Sequence, residues 1–245
     1  MSTITLVLSG VLQSWGTTTI GHSRATNSYP TKSAVVGLIA NALGRDRSDS
    51  IDDIAAVDFG IRIDVPGVVQ RDYHTVSILK QPTKGDRINR VTERFYLSDA
   101  VFVVVISHPD EALIMQIADA LQKPARPIFL GRKSCPPTRP VFYSLSNKDF
   151  VSVLQDTEWQ ADMSAQRAYL DSEVTLDVFR DPVNADEGFD ADVISDHPLS
   201  FDPDARRYAS RGVYRTKVTI ALENQPSEVP SANAIHLAMN AAGVS

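Results

Sequence analysis

Residues 91–107, VTERFYLSDAVFVVVIS, decide the fold. They read as one long strand whose second part, Val101 to Ile106 (VFVVVI), is apolar without a break. A polar-faced strand alternates; an unbroken apolar run of this length marks a central strand covered on both sides. Just upstream, 80–89 is polar and carries Pro82 and Gly85, so it reads as a loop. Val68 to Leu79 before it is a second extended segment, and the pair forms a long hairpin or arm with a polar tip. Downstream, Pro109-Asp110 opens an amphipathic helix to Gln122. Pro127 to Leu130 leads into a loop, Gly131 to Pro140, and Val141 to Tyr143 reads as a strand. Upstream, Ile4 to Leu8 (ITLVL) is a β-branched strand. Ala34 to Leu43 is a helix with Thr31 and Ser33 at its start and Gly44 at its stop, and Gly37 within it implies close packing. Val57 to Val65 alternates and ends at Pro66-Gly67. The order is β-α-β-β-α-β over about the first 145 residues, which predicts an α+β chain with a ferredoxin-like, RRM-like domain at 1–145.

The pattern weakens after Tyr143. Tyr169 to Phe179 alternates moderately, and Val213 to Leu222 alternates well. Residues 181–204 are acidic and proline-bearing and read as a loop, while 231–242 reads as a short helix or a loose tail. The expectation is a small β-rich C-terminal region at 146–245 with an acidic loop. No internal repeat is visible.

The chain has 245 residues, of which 43% are hydrophobic, enough for a substantial core. No apolar run is long enough for a transmembrane helix, and Met1 to Gly10 lacks a basic leader, so a secretory signal is not expected. Cys135 is the single cysteine, which excludes an internal disulfide and a cysteine zinc cluster. A cytoplasmic chain is expected. The net charge of -6 argues against nucleic acid at first sight, but its distribution argues the other way. Met1 to Arg45 holds no acid and includes Arg24 and Lys32. Leu121 to Pro140 holds no acid and five cations. Between them, 71–94 carries Arg71, Lys80, Lys84, Arg87, Arg90 and Arg94. The acids collect in 149–204. Three basic stretches in one part of a chain suit a polyanion.

Four constellations could carry chemistry. Thr31-Lys32-Ser33 opens a helix, where free N–H groups and the dipole favour an anion; ordinary N-capping is the plain alternative. No Walker glycines precede Lys32, so a nucleoside triphosphate is not indicated. Gln13-Ser14-Trp15-Gly16 follows the first strand; Trp15 could stack on a base with Gln13 and Ser14 hydrogen-bonding beside it, or simply cover the core edge. Arg71-Asp72-Tyr73-His74 on the arm, with Arg90 and Arg94 on the return, offers phosphate and stacking contacts. Tyr73 and His74 also suggest acid–base chemistry on an RNA 2′-hydroxyl. Gly131-Arg132-Lys133, in LGRKSCP, presents a glycine turn and two cations to a phosphate chain, with a solvated loop as the plain alternative. Cys135 beside it is a possible nucleophile without an assignable base. The five histidines show no metal-ligand spacing, and neither metal nor cofactor is expected.

Together, Gln13 to Gly16, PTKSAVVGLIANALG at 30–44, RDYHTV at 71–76 and LGRKSCP at 130–136 resemble the CasD family, a subunit of the type I-E CRISPR Cascade complex within the RAMP superfamily. Ala209-Ser210-Arg211 is also similar to a stretch near that family's C-terminus. The resemblance implies a protruding β-hairpin thumb, at about 70–98 here. It implies a non-catalytic subunit that holds the 5′ handle of the CRISPR RNA and caps the complex. The implied partners are the repeated backbone subunit and the large subunit that reads the PAM, with target DNA touched only indirectly and no membrane. Carried over, Thr31, Lys32, Ser33, Arg71, His74, Gly131, Arg132 and Lys133 would grip the handle.

The rival reading is a metal-independent endoribonuclease processing precursor CRISPR RNA, as in the related type I-C subunit, with Tyr73, His74 and Lys32 or Lys133 as its chemistry. A small-molecule enzyme would need convergent titratable groups or a cofactor motif, and none is visible. A pure assembly module would leave the acid-free basic stretches unexplained.

Overall fold

The computed structural model describes residues 2–16, 23–79, 87–169 and 171–222. The chain is mixed α/β and mostly sheet. In chain order the elements begin with β1 (Ser2–Ser9), β2 (Leu12–Gln13), β3 (Trp15–Gly16), β4 (Ser23–Arg24), β5 (Thr26–Asn27), α1 (Lys32–Ala42), α2 (Asp52–Ala55) and β6 (Asp58–Val65). There follow β7 (Val68–Leu79), β8 (Arg87–Ser98), β9 (Val101–His108), α3 (Glu111–Gln122), β10 (Phe142–Ser146), α4 (Phe150–Asp156) and α5 (Met163–Ala168). The chain then runs through β11 (Glu173–Arg180), α6 (Ala185–Phe189), β12 (Asp192–Ser200) and β13 (Arg207–Ala221). The hairpin tip at 80–86, the 231–242 segment and Lys80, Pro82, Lys84 and Gly85 lie outside the described residues.

One sheet of seven strands, in the order β10-β1-β9-β6-β11-β13-β12, runs through the molecule. Its middle strand β9 explains the apolar run. Phe102, Val104 and Ile106 face one cluster with Ile4, Leu6, Leu8 and the inner sides of α1 and α3. Val103 and Val105 face a second cluster with Phe150, Leu154, Val174, Leu176 and Val178. Both faces are covered, so the run is apolar on both. The strands β11, β12 and β13 extend the same sheet, joined through Val178↔Arg62 and Phe179↔Ile61.

Two expectations are corrected. Residues 91–107 are not one strand. The chain leaves β8 at Ser98, takes φ 57° at Asp99, and enters β9 in a different sheet. Gly67 makes the matching crossing from β6 to β7 at φ 70°, where a Cβ would stand 2.5 Å from the Ser98 carbonyl oxygen. Only glycine fits both demands. The acidic 181–204 segment is likewise no loop: it forms α6 and then β12, paired antiparallel to β13. As an edge strand β12 tolerates Pro198 and shifts register twice, and one of its buried positions is Asp196, bound to the α1 start rather than apolar, which is why its composition read as irregular.

α1 begins at Lys32 with Thr31 as N-cap, its hydroxyl accepting from the Ala34 amide at 3.2 Å, and Gly44 beyond it has φ 78°. Gly37 faces the Phe201 ring, but a Cβ there would stand 3.7 Å from it, an ordinary contact, so the position does not demand the close packing its glycine implied. On the opposite side of the sheet, Arg62 and Asp64 form an ion pair with both side chains at 0% exposure. Arg62 Nε and Nη2 donate to the two carboxylate oxygens at 2.7 and 2.9 Å. Nη1 and Nη2 also donate to the carbonyls of Leu154, Thr157 and Glu158. Asp64 accepts from the Gln160 amide at 2.6 Å. The pair fastens the turn after α4 to β6.

Among the described residues no helix is long and apolar enough to cross a membrane.

Candidate nucleic-acid interface

β8 is the spine of a smaller sheet. β7 runs along its whole length, β2 pairs with its end at Gln13↔Leu97, and β4 joins it in parallel at Arg24↔Arg94. Residues directly opposite across a ladder share a face, so the register sorts the side chains. Asp72 faces Arg94, His74 faces Thr92 and Val76 faces Arg90 on one face, with Tyr96 toward the base. Arg71 faces Phe95 and Tyr73 faces Glu93 on the other. Consecutive residues of a strand point oppositely, so the candidates of 71–76 do not form one constellation.

The loop after Leu130 closes over the first face. Leu130 and Cys135 are fully buried and anchor it. The Ser14 amide donates to the Leu130 carbonyl at 3.1 Å, and the Leu130 amide donates to the Cys135 carbonyl at 2.8 Å. Gly131 has φ 84°, and a Cβ there would lie 1.7 Å from the Ser14 carbonyl oxygen, so this turn admits glycine alone. Arg132 then lays its guanidinium 4.6 Å from the Tyr96 ring centroid. Its nitrogens donate to the carbonyls of Phe95 at 3.3 Å and Arg24 at 3.1 Å. The cation is thereby held at the base of the arm while Lys133 and Ser134 stay exposed. Burial pushes the Cys135 thiol up, which keeps it protonated and speaks against a nucleophile.

This face collects Arg24, Arg90, Arg94 and Arg132. Asp72 is its one described acid, and it accepts a 2.6 Å contact from His74 Nε2. Among the described residues Arg24, Arg90, Arg94 and Lys133 have no ion pair, and Arg94 Nε is buried without a hydrogen-bond partner. On the opposite face Arg71 is neutralised by Glu93 at 2.6 Å and lies 5.6 Å from the Tyr73 ring. Tyr96, the platform beneath Arg132, escaped the sequence reading; its alternation with Arg94 was the available signal.

Several sequence candidates prove internal. Trp15, read as a stacking surface, is 0% exposed and meets Phe102 edge-on at 6.5 Å, so it is a core side chain. Gln13 is buried too, donating to the carbonyl of Ala100 at 2.6 Å, and Ser14 donates to that of Phe95 at 3.3 Å. The helix start at Thr31-Lys32-Ser33 already holds an anion, for the Lys32 amide donates to Asp196 at 2.8 Å. Lys32 Nζ, with its side chain 6% exposed, is paired to Asp181 at 3.1 Å. Arg211 completes this network by binding both aspartates. The corrected role of Lys32 is to tie α1 to β11 and β12. Its partners stand 149 and 164 residues away, so no local pattern announces them. Lys32→Ala is expected to lower stability by about 1–3 kcal/mol, because Asp181 keeps Arg211 but loses one partner. Chemical denaturation measures it, and an unchanged midpoint contradicts the bracing role.

The CRISPR-associated protein (Cas_Cas5) family matches residues 3–214 of this chain. CRISPR system Cascade subunit CasD of Escherichia coli (strain K12) is 35% identical over 158 residues, covering 58% of this chain and 70% of that protein. A chain of a solved CRISPR RNA-guided surveillance complex is similar over 97% of this chain and 99% of that one, with TM-score 0.74 and 27% identity. A crystal structure of a Cas protein is similar over 88% of this chain and 94% of its own, with TM-score 0.66 and 31% identity.

Proposed function

The chain belongs to the Cas_Cas5 family of CRISPR-associated proteins, and on that premise we propose that it is a non-catalytic subunit of a type I-E Cascade complex that holds the 5′ handle of the CRISPR RNA and caps the backbone filament. The observation that carries the reading is the unpaired arginine face of Arg24, Arg90 and Arg94, closed by Arg132 and Lys133. Cations without internal partners are what a phosphate chain recruits, and glycine at 131 exposes backbone beside them. The strand order β10-β1-β9-β6, with α1 and α3 packed on one side, supports a ferredoxin-like βαββαβ half, and the β7–β8 arm supports the thumb. That its relatives are a Cascade subunit and a chain of an RNA-guided surveillance complex supports RNA and protein partners; the ones proposed are the RNA handle, the backbone subunit and the large PAM-reading subunit, in the cytoplasm.

The non-catalytic part rests on the geometry of the rival's residues. Tyr73 and His74 point to opposite faces, and of the two candidate lysines Lys32 is sequestered by Asp181 while Lys133 stays exposed. A metal-independent ribonuclease needs its acid and base convergent on one 2′-hydroxyl.

The test incubates the full chain, in chelator, with labelled CRISPR repeat RNA and with a scrambled RNA, read on native and denaturing gels. Intact repeat RNA shifted in a salt-sensitive way is expected. Specific cleavage in chelator would overturn the non-catalytic reading, and equal shifts of both RNAs would remove handle recognition.

A further inference from the structure

The acidic 181–204 segment has no part in the arginine face. It does present the most exposed large apolar side chain among the described residues: Phe189, 93% exposed, with Val193 at 76% and Val183 at 52%. Phe189 sits on α6, a five-residue helix none of whose residues is buried. A helix this short, without burial, has no stability of its own. It is held instead by polar fastenings. Glu187 accepts from Arg180 Nη1 at 2.6 Å and Nη2 at 2.8 Å, and Arg180 is itself 5% exposed. The Val183 amide donates to Glu187 at 2.9 Å, and the Asn184 side chain caps the Glu187 amide. The chain thus presents an aromatic ring to solvent on a turn fastened by polar contacts.

Beside this turn lies a cleft of about 590 Å³, with Glu187 and Val183 in its wall. Its apolar side is Phe150, Val151 and Pro182. Two of its carboxylates, Asp58 and Asp149, have no cation among the described residues. Around Phe189 stand Asp186, Asp190 and Asp192. Phosphate would be repelled here, which excludes RNA and favours a protein.

We propose that the α6–β12 edge is a protein-docking surface: Phe189 inserts into an apolar pocket of a partner protein ringed by lysine or arginine, and one of those cations enters the cleft of Asp58 and Asp149. A large exposed aromatic at the centre of an acidic rim is the arrangement in which few side chains dominate binding. Carboxylates without a cation of their own, facing a cationic rim, add selection against acidic or neutral partners.

This rests on the subunit reading above. The test co-expresses differently tagged wild-type and Phe189→Asp/Val193→Asp chains with the other subunits of the complex and CRISPR RNA, and weighs the two tags in the purified assembly. Exclusion of the variant by roughly tenfold or more is expected, with its unfolding midpoint and its repeat-RNA shift unchanged. Asp58→Asn is expected to exclude less strongly and to make assembly less salt-sensitive. Equal entry of both tags overturns the docking surface. So does a variant whose RNA shift falls while its entry is normal. If the double variant fails to fold, Phe189→Ser carries the same comparison. If the wild-type tag itself fails to enter, the subunit reading falls and the docking surface with it.

Discussion

Arg62→Ala is expected to destabilise the chain by about 3–5 kcal/mol, the range for removing one partner of a buried ion pair. The side chain is wholly buried, so solvent does not offset the loss. Three consequences add. Asp64 keeps the Gln160 amide but loses its counter-charge in a site without water access. The carbonyls of Leu154, Thr157 and Glu158 lose the guanidinium together, Glu158 keeping only Gln160 Nε2. The turn that holds Trp159, whose indole donates to the Asp64 carbonyl at 2.9 Å, is released from β6. Urea denaturation at neutral pH measures the midpoint, and a loss below about 1 kcal/mol would mean the site relaxes to admit water. Replacing the pair as a unit, Arg62→Met with Asp64→Leu, is expected to cost less than the single change, because no buried charge is then left alone.

The sequence showed what short-range chemistry dictates. The apolar run at Val101–Ile106 announced a doubly covered strand, Thr31 and Gly44 bounded α1, and the glycine of LGRKSCP marked a turn that needs φ above zero. It was silent where a residue's role depends on distant chain. Lys32 has the composition of a phosphate site because a helix start satisfies an internal carboxylate and an external anion by the same means. Trp15 sits between polar residues, yet the Thr26 hydroxyl accepts from its amide and its ring turns inward. The break at Asp99 is one residue's positive φ, too small to see amid two β-forming stretches. The 181–204 segment hid an edge strand, since Pro198, two register shifts and the inward Asp196 interrupt the alternation by which strands are recognised. The arginine face was half legible: the cations stood out, but which face each takes is set by the β7–β8 register.

That register yields the second large effect. Arg24→Ala with Arg90→Ala and Arg94→Ala is expected to weaken repeat-RNA binding by roughly a hundredfold at moderate salt and to flatten the log–log salt slope by about two. The slope follows from about 0.7 released counterions per single-strand phosphate contact and three contacts removed. None of these side chains carries an internal hydrogen bond among the described residues, so the fold and its unfolding midpoint should hold. Arg132 is left in place, because it donates to the carbonyls of Phe95 and Arg24 and its loss would loosen the loop as well as remove a charge. Arg71→Ala is the control. It lies on the opposite face with Glu93 already against it, so its removal leaves the slope near the wild-type value. Lys32→Ala serves as a second control, lowering stability without touching the slope. If Arg71→Ala flattens the slope as much as the triple change, RNA contacts both faces of the arm and the division by register does not govern binding. If the triple change leaves the slope intact, phosphate is held elsewhere, and the unpaired arginines serve a protein neighbour instead.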